Sequence, residues 1–224
     1  MSDDKRIVII GGHGKVALLA APKLKAAGYV VDSIIRNPGQ SDGVRRAGGN
    51  PVVLDIESAG VDQLASAFKG AQAIVFSAGA GGGNPQRTHA VDYEAATRAM
   101  QAAEQAGVKR FVMVSYAGAD RDVHRLDPSD SFYPYARAKH DADAKLRESA
   151  LEWTILGPAL LTLEPATGKI QLVESAGGDW PEDKRVTSRD NVAEVITHVI
   201  RTGAAKRQTV NFYDGDTPIA EAIT

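Results

Sequence analysis

The segment from Arg6 to Ala20, RIVIIGGHGKVALLA, constrains the fold more than any other stretch of this chain. An apolar, β-branched run stops on glycines and passes directly into an alanine- and leucine-rich helical pattern. Ile7, Val8, Ile9 and Ile10 read as a strand buried on both faces, as in a parallel sheet. Gly11, Gly12 and Gly14 allow a tight turn and close approach of backbone amides to a ligand. The unpaired N–H groups of the following helix then point at an anion. The spacing Gly11-x-x-Gly14-x-x-Ala17 departs from G-x-G-x-x-G but keeps the strand, turn and helix start on which that fingerprint depends. The competing reading is an ordinary glycine-rich strand-to-helix turn.

Short β-rich runs alternate with helical patterns along the rest of the chain, which predicts a doubly wound α/β fold: a parallel sheet with helices on both faces, in three layers. Further strands are expected at 30–35, 52–54, 73–76, 111–114, 153–156 and 209–213. Helices are expected at 16–27, 42–47, 61–68, 91–106, 135–149 and 191–200. Gly28 and Gly107 mark two helix ends. Pro22 removes one backbone bond from the first helix and is expected to bend it. The connections 77–88, 116–134 and 157–187 are long, and all follow strands on the side where open α/β sheets bind ligands. The 224 residues fit one domain spanning 1–224, with 157–187, which carries Pro158, Pro165 and Pro181, as a small substrate-side insertion.

Charge and composition narrow the function. The 26 basic and 28 acidic side chains nearly cancel and aromatic residues are few, which argues against a nucleic-acid surface. The absence of cysteine rules out disulfides, thiolate metal sites and a cysteine nucleophile. The leading MSDDKR does not resemble a secretory signal, and no apolar run is long enough to span a membrane. These features predict a soluble cytoplasmic protein, monomeric or a small homo-oligomer, that meets a small-molecule substrate. His13, His89, His124, His140 and His198 lack metal-ligand spacing, so no metal is expected.

Arg36, followed by Asn37, stands at the end of the second strand, where an acidic residue would bind the ribose hydroxyls of NAD. A guanidinium suits a 2′-phosphate and favours NADP over NAD. Asp32 lies too early in the strand to take that role, and a solvated arginine at a strand end is the bland alternative. Tyr135 and Lys139 lie four residues apart on one helical face. An adjacent ammonium and an oxidised nicotinamide ring would lower the phenol's pKa, so that Tyr135 exchanges a proton with a carbonyl oxygen while hydride moves at its carbon. Lys139 can also hold the nicotinamide ribose. Ser115, ending the fifth strand, can anchor a substrate carbonyl or cap the loop. Ser77, Ala78 and Gly79 are small enough for the cofactor to lie against the sheet edge. Asp55, followed by Ile56, can accept from an adenine amino group or form an Asx turn.

Together these residues resemble the atypical branch of the short-chain dehydrogenase/reductase superfamily, small NAD(P)-binding Rossmann-type proteins with a short C-terminal region. GGHGKVA is similar to its cofactor turn, LDIES to its adenine-contacting strand end and AVDYEAATRAMQAAEQAGVKRFVMVS to its fourth helix and fifth strand. YARAK resembles the active-site helix, WTILGPALLT the strand beside the nicotinamide and TSRDNVAEVI the helix after the substrate loop. The resemblance implies cofactor contacts from Gly11, Gly12, His13, Gly14, Lys15, Val16, Arg36, Asp55, Ser77, Ala78, Gly79 and Pro158, with catalytic roles for Tyr135 and Lys139. Two departures stand out. Relatives commonly read R-P-G where this chain has Gly157-Pro158-Ala159, and they carry a hydroxyl doublet where it has Ser115-Tyr116. The expected activity is NADP(H)-dependent reduction of a small carbonyl or similar acceptor. The alternatives are a non-catalytic NADP sensor and an epimerase or dehydratase.

Overall fold

The computed structural model describes residues 5–81, 83–174 and 185–224. Strand β1 (Arg6–Ile10) leads through the glycine turn into α1 (Lys15–Ala26) and returns as β2 (Val30–Ile35). After α2 (Ser41–Arg46) come β3 (Asn50–Val53), α3 (Val61–Phe68) and β4 (Ala73–Phe76). A nearly continuous helical run follows: α4 (Pro85–Thr88), a π-helical segment (His89–Ala95) and α5 (Ala96–Gln105). Then come β5 (Arg110–Val114), α6 (Ala119–Arg125), α7 (Tyr133–Glu148) and β6 (Glu152–Pro158). The C-terminal third holds β7 (Leu160–Thr162), β8 (Lys169–Val173), β9 (Val186–Ser188), α8 (Arg189–Thr202), β10 (Gln208–Asp214), β11 (Thr217–Pro218) and α9 (Ile219–Ala222).

The main sheet runs β11-β8-β10-β6-β5-β4-β1-β2-β3. All pairs from β10 to β3 are parallel, and only β8 runs against the rest, antiparallel to both β10 and β11. Strand order reverses at β1, whose Ile7 pairs with Val31 on one side and Ala73 on the other. This switch point, in a Rossmann-like sheet, is where a crevice opens beyond the strand ends. Alternation along β1 divides the core: Ile7 and Ile9 pack with α1 and α8, whereas Val8 and Ile10 pack with α3, α5 and α7.

Several expected boundaries move. β3 begins at Asn50 because its ladder to Asp32 starts there, ahead of the apolar residues that suggested a strand. The 77–88 connection is partly helical: the Asn84 side chain accepts from Arg87 N–H and starts α4, with Pro85 in the first turn. The 116–134 connection contains α6, and α7 starts at Tyr133 because Pro134, in its first turn, needs no intrahelical N–H partner. Helix α1 continues through Pro22, which is exposed. The 157–187 segment contains more strand than its prolines suggest. β7 and β9 form a short parallel ladder, and β8 joins the main sheet against β10. Pro181 falls outside the described residues.

Buried Asn191 ties that segment to the sheet. Its Nδ2 donates to Asp214 Oδ1 at 2.7 Å, Thr167 Oγ1 at 3.1 Å and the Lys169 carbonyl at 3.3 Å, while its Oδ1 accepts from Gly168 N–H at 3.0 Å. Truncation to Ala removes four hydrogen bonds of a buried side chain at once, although its partners are themselves half-buried or exposed. Urea denaturation of Asn191→Ala is expected to show a loss of about 2–3 kcal/mol, against a change within about 0.5 kcal/mol for an exposed control such as Lys25→Ala.

Candidate active site and nucleotide cleft

At the end of β1 the backbone runs too close to its neighbours for side chains. Gly11 has φ +81°, and a Cβ there would stand 2.7 Å from Ala78 Cα. A Cβ on Gly12 would collide with Ser33. The turn is closed by Gly12 N–H to the Ile34 carbonyl and Gly14 N–H to the Gly11 carbonyl, both 2.8 Å. The first α1 hydrogen bond is Leu18 N–H to the Gly14 carbonyl, so the amides of Lys15, Val16 and Ala17 precede the helical ladder. The first turn has no acidic side chain, which leaves the positive end of the helix dipole uncompensated.

Beside this turn lies a cleft of about 310 Å³ between the ends of β1, β2, β3 and β4. Of the sequence-derived candidates it gathers Gly11, Gly12, His13, Gly14, Arg36, Asp55, Ile56, Ser77, Ala78 and Gly79. Glu57, Arg87 and Val91 line it too. Asp55 faces the cleft and also forms an Asx turn, its Oδ1 accepting from Glu57 N–H at 3.0 Å. Arg98 secures the same turn by donating to the carbonyls of Ile56, Glu57 and Ala59. Asn37 is not on the cleft wall: its side chain accepts from Gly39 N–H at 2.9 Å and caps a short 3₁₀ turn (Pro38–Gln40). Asp32 is ion-paired to Arg6 at 2.7 Å, in keeping with its early place in β2. Pro158 pairs with Phe212 inside the sheet, and its carbonyl accepts from Ala117 N–H, so it too lies off the cleft lining.

Tyr135, Lys139 and Asp143 follow one another at four-residue intervals on α7. Lys139 is buried, with Nζ 3.1 Å from Asp92 Oδ1 and 3.1 Å from the Val114 carbonyl. The Asp92 carboxylate is presented by the π-helical segment and also accepts from Ala80 N–H at 3.0 Å. Asp92 thus links the cleft wall, through Ala80, to the helix bearing Tyr135. Lys139 Nζ lies 5.8 Å from the Tyr135 ring centroid, and the ring packs against Phe132 and Tyr116 at 5.2 and 5.4 Å.

The electrostatics depart from the sequence expectation. Burial raises the Tyr135 pKa; Lys139 lowers it, but Asp92 and Asp143 work with burial, and the net shift is upward. The phenol is thereby kept protonated, the form a proton donor requires. Lys139 is itself held as an ammonium: burial disfavours its charge, but Asp92, Tyr135 and Asp143 outweigh that. Ser115 is buried and donates to Asp143 Oδ2 at 2.6 Å, so its hydroxyl hydrogen is directed to a carboxylate of its own chain. Asp143 is almost fully buried, and desolvation pushes its pKa up to about 7 despite that hydrogen bond and the charges of Lys139 and Arg147.

Four side chains that shape this region escaped the sequence reading: Asp92, Asp143, Glu57 and Arg87. Asp143 was accessible from spacing, since it repeats the Tyr135–Lys139 interval. No local pattern marks the other three. Among the described residues, no group of His, Asp and Glu side chains is arranged to hold a metal ion, and no helix is long and apolar enough to cross a membrane.

A family model described as NAD(P)H-binding matches residues 11–202. A Bacillus subtilis protein named as an uncharacterized sugar epimerase, YhfK, is 33% identical over 97% of this chain and 98% of its own length. Among solved structures, one described as an NAD-dependent epimerase/dehydratase from Bacillus halodurans superposes with TM-score 0.87 at 31% identity, covering 97% of this chain and 98% of the other. The oxidoreductase ylbE from Lactococcus lactis gives TM-score 0.82 at 28% identity, covering 97% and 94%.

Two measurements probe the buried charges. Asp92→Asn leaves the Lys139 ammonium without its counter-charge, and its unfolding free energy is expected to fall by about 3–5 kcal/mol at pH 7. For Asp143 the native pKa lies above its unfolded value of 3.8, so between that pH and about 7 the native state holds a proton that the unfolded chain has released. Stability contributed by this group is therefore full at low pH and declines as pH rises through that window. The stability difference between Asp143→Asn and the parent protein should shift in favour of the variant from pH 5 to pH 8. A difference independent of pH would contradict the assignment.

Proposed function

Starting from the fact that this chain belongs to the NAD(P)H-binding family, we propose that it is an NADP(H)-dependent oxidoreductase that reduces a small carbonyl or similar acceptor by hydride transfer. The observation that carries this reading is the assembly of Tyr135, a buried ammonium and the glycine-lined cleft through the single residue Asp92. A protein that only held a dinucleotide would have no use for a phenol aligned with a desolvated lysine.

The residues fit the cofactor. The Cβ-free turn at Gly11 and Gly12 and the leading amides of α1 suit a pyrophosphate, Ser77 to Gly79 leave room along the sheet edge, and Arg36 supplies charge for a 2′-phosphate. When bound, NADPH supplies the hydride. Tyr135 supplies the proton, passing it from its hydroxyl to the substrate oxygen. Lys139 stabilises the phenolate left behind, and it is preset for this because Asp92 and the Val114 carbonyl already fix its ammonium. Ser115 serves as a positioning residue: its hydrogen bond to Asp143 ties the end of β5 to the helix carrying Tyr135.

A second reading, epimerisation through transient oxidation, draws on the names of the relatives in the two Bacillus species. That route requires Tyr135 to start as the phenolate, take a proton from a substrate hydroxyl and later return it with no net consumption of cofactor, and the upward shift of its pKa works against that starting form.

Purified protein incubated with NADPH and a panel of aldehydes, ketones, quinones and flavins provides the test. Tyr135→Phe is expected to retain NADPH affinity within about twofold while losing roughly a hundredfold or more in turnover. Equal turnover by the variant, or none by the parent with any acceptor, would remove the reductase reading.

A further inference from the structure

Glu57 lies between two guanidiniums in the cleft. Its Oε1 accepts from Arg36 Nη1 at 2.6 Å and from Arg87 Nε at 3.1 Å. The two arginines come from unrelated parts of the chain, one following β2 and the other on α4. Arg87 is fixed independently: its N–H is received by the Asn84 cap, and its Nη1 donates to the Ala80 carbonyl at 2.8 Å. The Glu57 backbone is also fixed, by Asp55 on its N–H and Arg98 on its carbonyl. The main chain is held, and only the carboxylate arm is left to rotate.

We propose that the Glu57 carboxylate is an internal counter-ion seated in the 2′-phosphate subsite, that Arg87 is the second arm of that subsite with Arg36, and that Glu57 thereby sets the preference between NADP and NAD. The inference rests on the reading that the cleft takes a dinucleotide whose adenosine end reaches Arg36. Two guanidiniums and one carboxylate leave one net positive charge. A phosphate dianion bridging both arginines gains charge-assisted hydrogen bonds to each, but it repels Glu57 and must displace it. The 2′-hydroxyl of NAD carries no charge and can donate to the carboxylate where it stands. Displacement is feasible because both ion pairs are partly solvated and therefore weak. Glu57 consequently penalises NADP alone, as a closed conformer lowers the apparent affinity of any ligand that needs the open one.

Calorimetric titration with NADP⁺, NAD⁺, adenosine 2′,5′-bisphosphate and ADP tests this. Glu57→Gln keeps the shape and removes the charge. It is expected to tighten NADP⁺ and the bisphosphate by about five- to tenfold while NAD⁺ and ADP stay within about twofold. Arg87→Met should do the reverse, weakening NADP⁺ and the bisphosphate by about tenfold with little effect on NAD⁺. Glu57→Gln that leaves NADP⁺ unchanged, weakens it, or tightens NAD⁺ equally overturns the internal counter-ion while the cleft assignment stands. A parent protein that binds neither dinucleotide overturns the cleft assignment, and this inference with it.

Discussion

Everything in the cleft beside the glycine turn depends on the lack of room at the end of β1. The turn at Gly11 and Gly12 passes within contact distance of Ala78 and Ser33, so the ends of β2 and β4 close on the same few atoms. Those strands carry Arg36 and Ser77 to Gly79 into one cleft only because nothing larger than hydrogen separates them from the turn. The amide-rich start of α1 is aimed by the same geometry, since Gly12 is bonded to Ile34 of β2 and Gly14 back to Gly11. A side chain at either glycine would spread the strands and redirect the helix together.

The second constraint is a buried ion pair. Burying Lys139 and Asp92 is costly, and such pairs seldom stabilise a fold relative to apolar packing. Here the arrangement has a positional result. The π-helical segment widens the helix where Asp92 enters, and such segments recur at functional sites. Asp92 then holds both Ala80, beside the cleft, and Lys139, beside Tyr135. Asp143 makes a parallel connection from α7 to Ser115 at the end of β5. The helix that carries Tyr135 is thereby fixed to the π-helical segment through Asp92 and to the end of β5 through Asp143 and the Lys139 bond to the Val114 carbonyl, rather than by apolar contact alone.

Much of this was legible in one dimension. The apolar run into GGHG placed the turn, alternation of strand and helix patterns gave the parallel sheet, and the Tyr135–Lys139 interval put both groups on one helix face. What misled was local. The 77–88 and 116–134 connections contain helices opened by Pro85 and Pro134, where a missing N–H has no consequence, and the proline-bearing segment after Gly157 is drawn into strands by pairing with β9 and β10. For Tyr135, spacing reveals the neighbouring ammonium, which does lower the phenol's pKa, but not the depth of burial or the two carboxylates that turn the net shift upward in the protein alone.

The sequence by itself determined the elements whose information is short-ranged: a strand, a glycine turn, a helix start, a tyrosine and lysine one turn apart. Periodicity and backbone freedom are properties of neighbouring residues, so they survive without the fold. Tertiary structure alone decided that Glu57 sits between Arg36 and Arg87, that Asp92 meets Lys139, and that Ser115 turns to Asp143. Each of these is a meeting of charges or polar groups from elements separated by tens of residues. Its energy depends on distance and desolvation, which exist only once the sheet has closed around them.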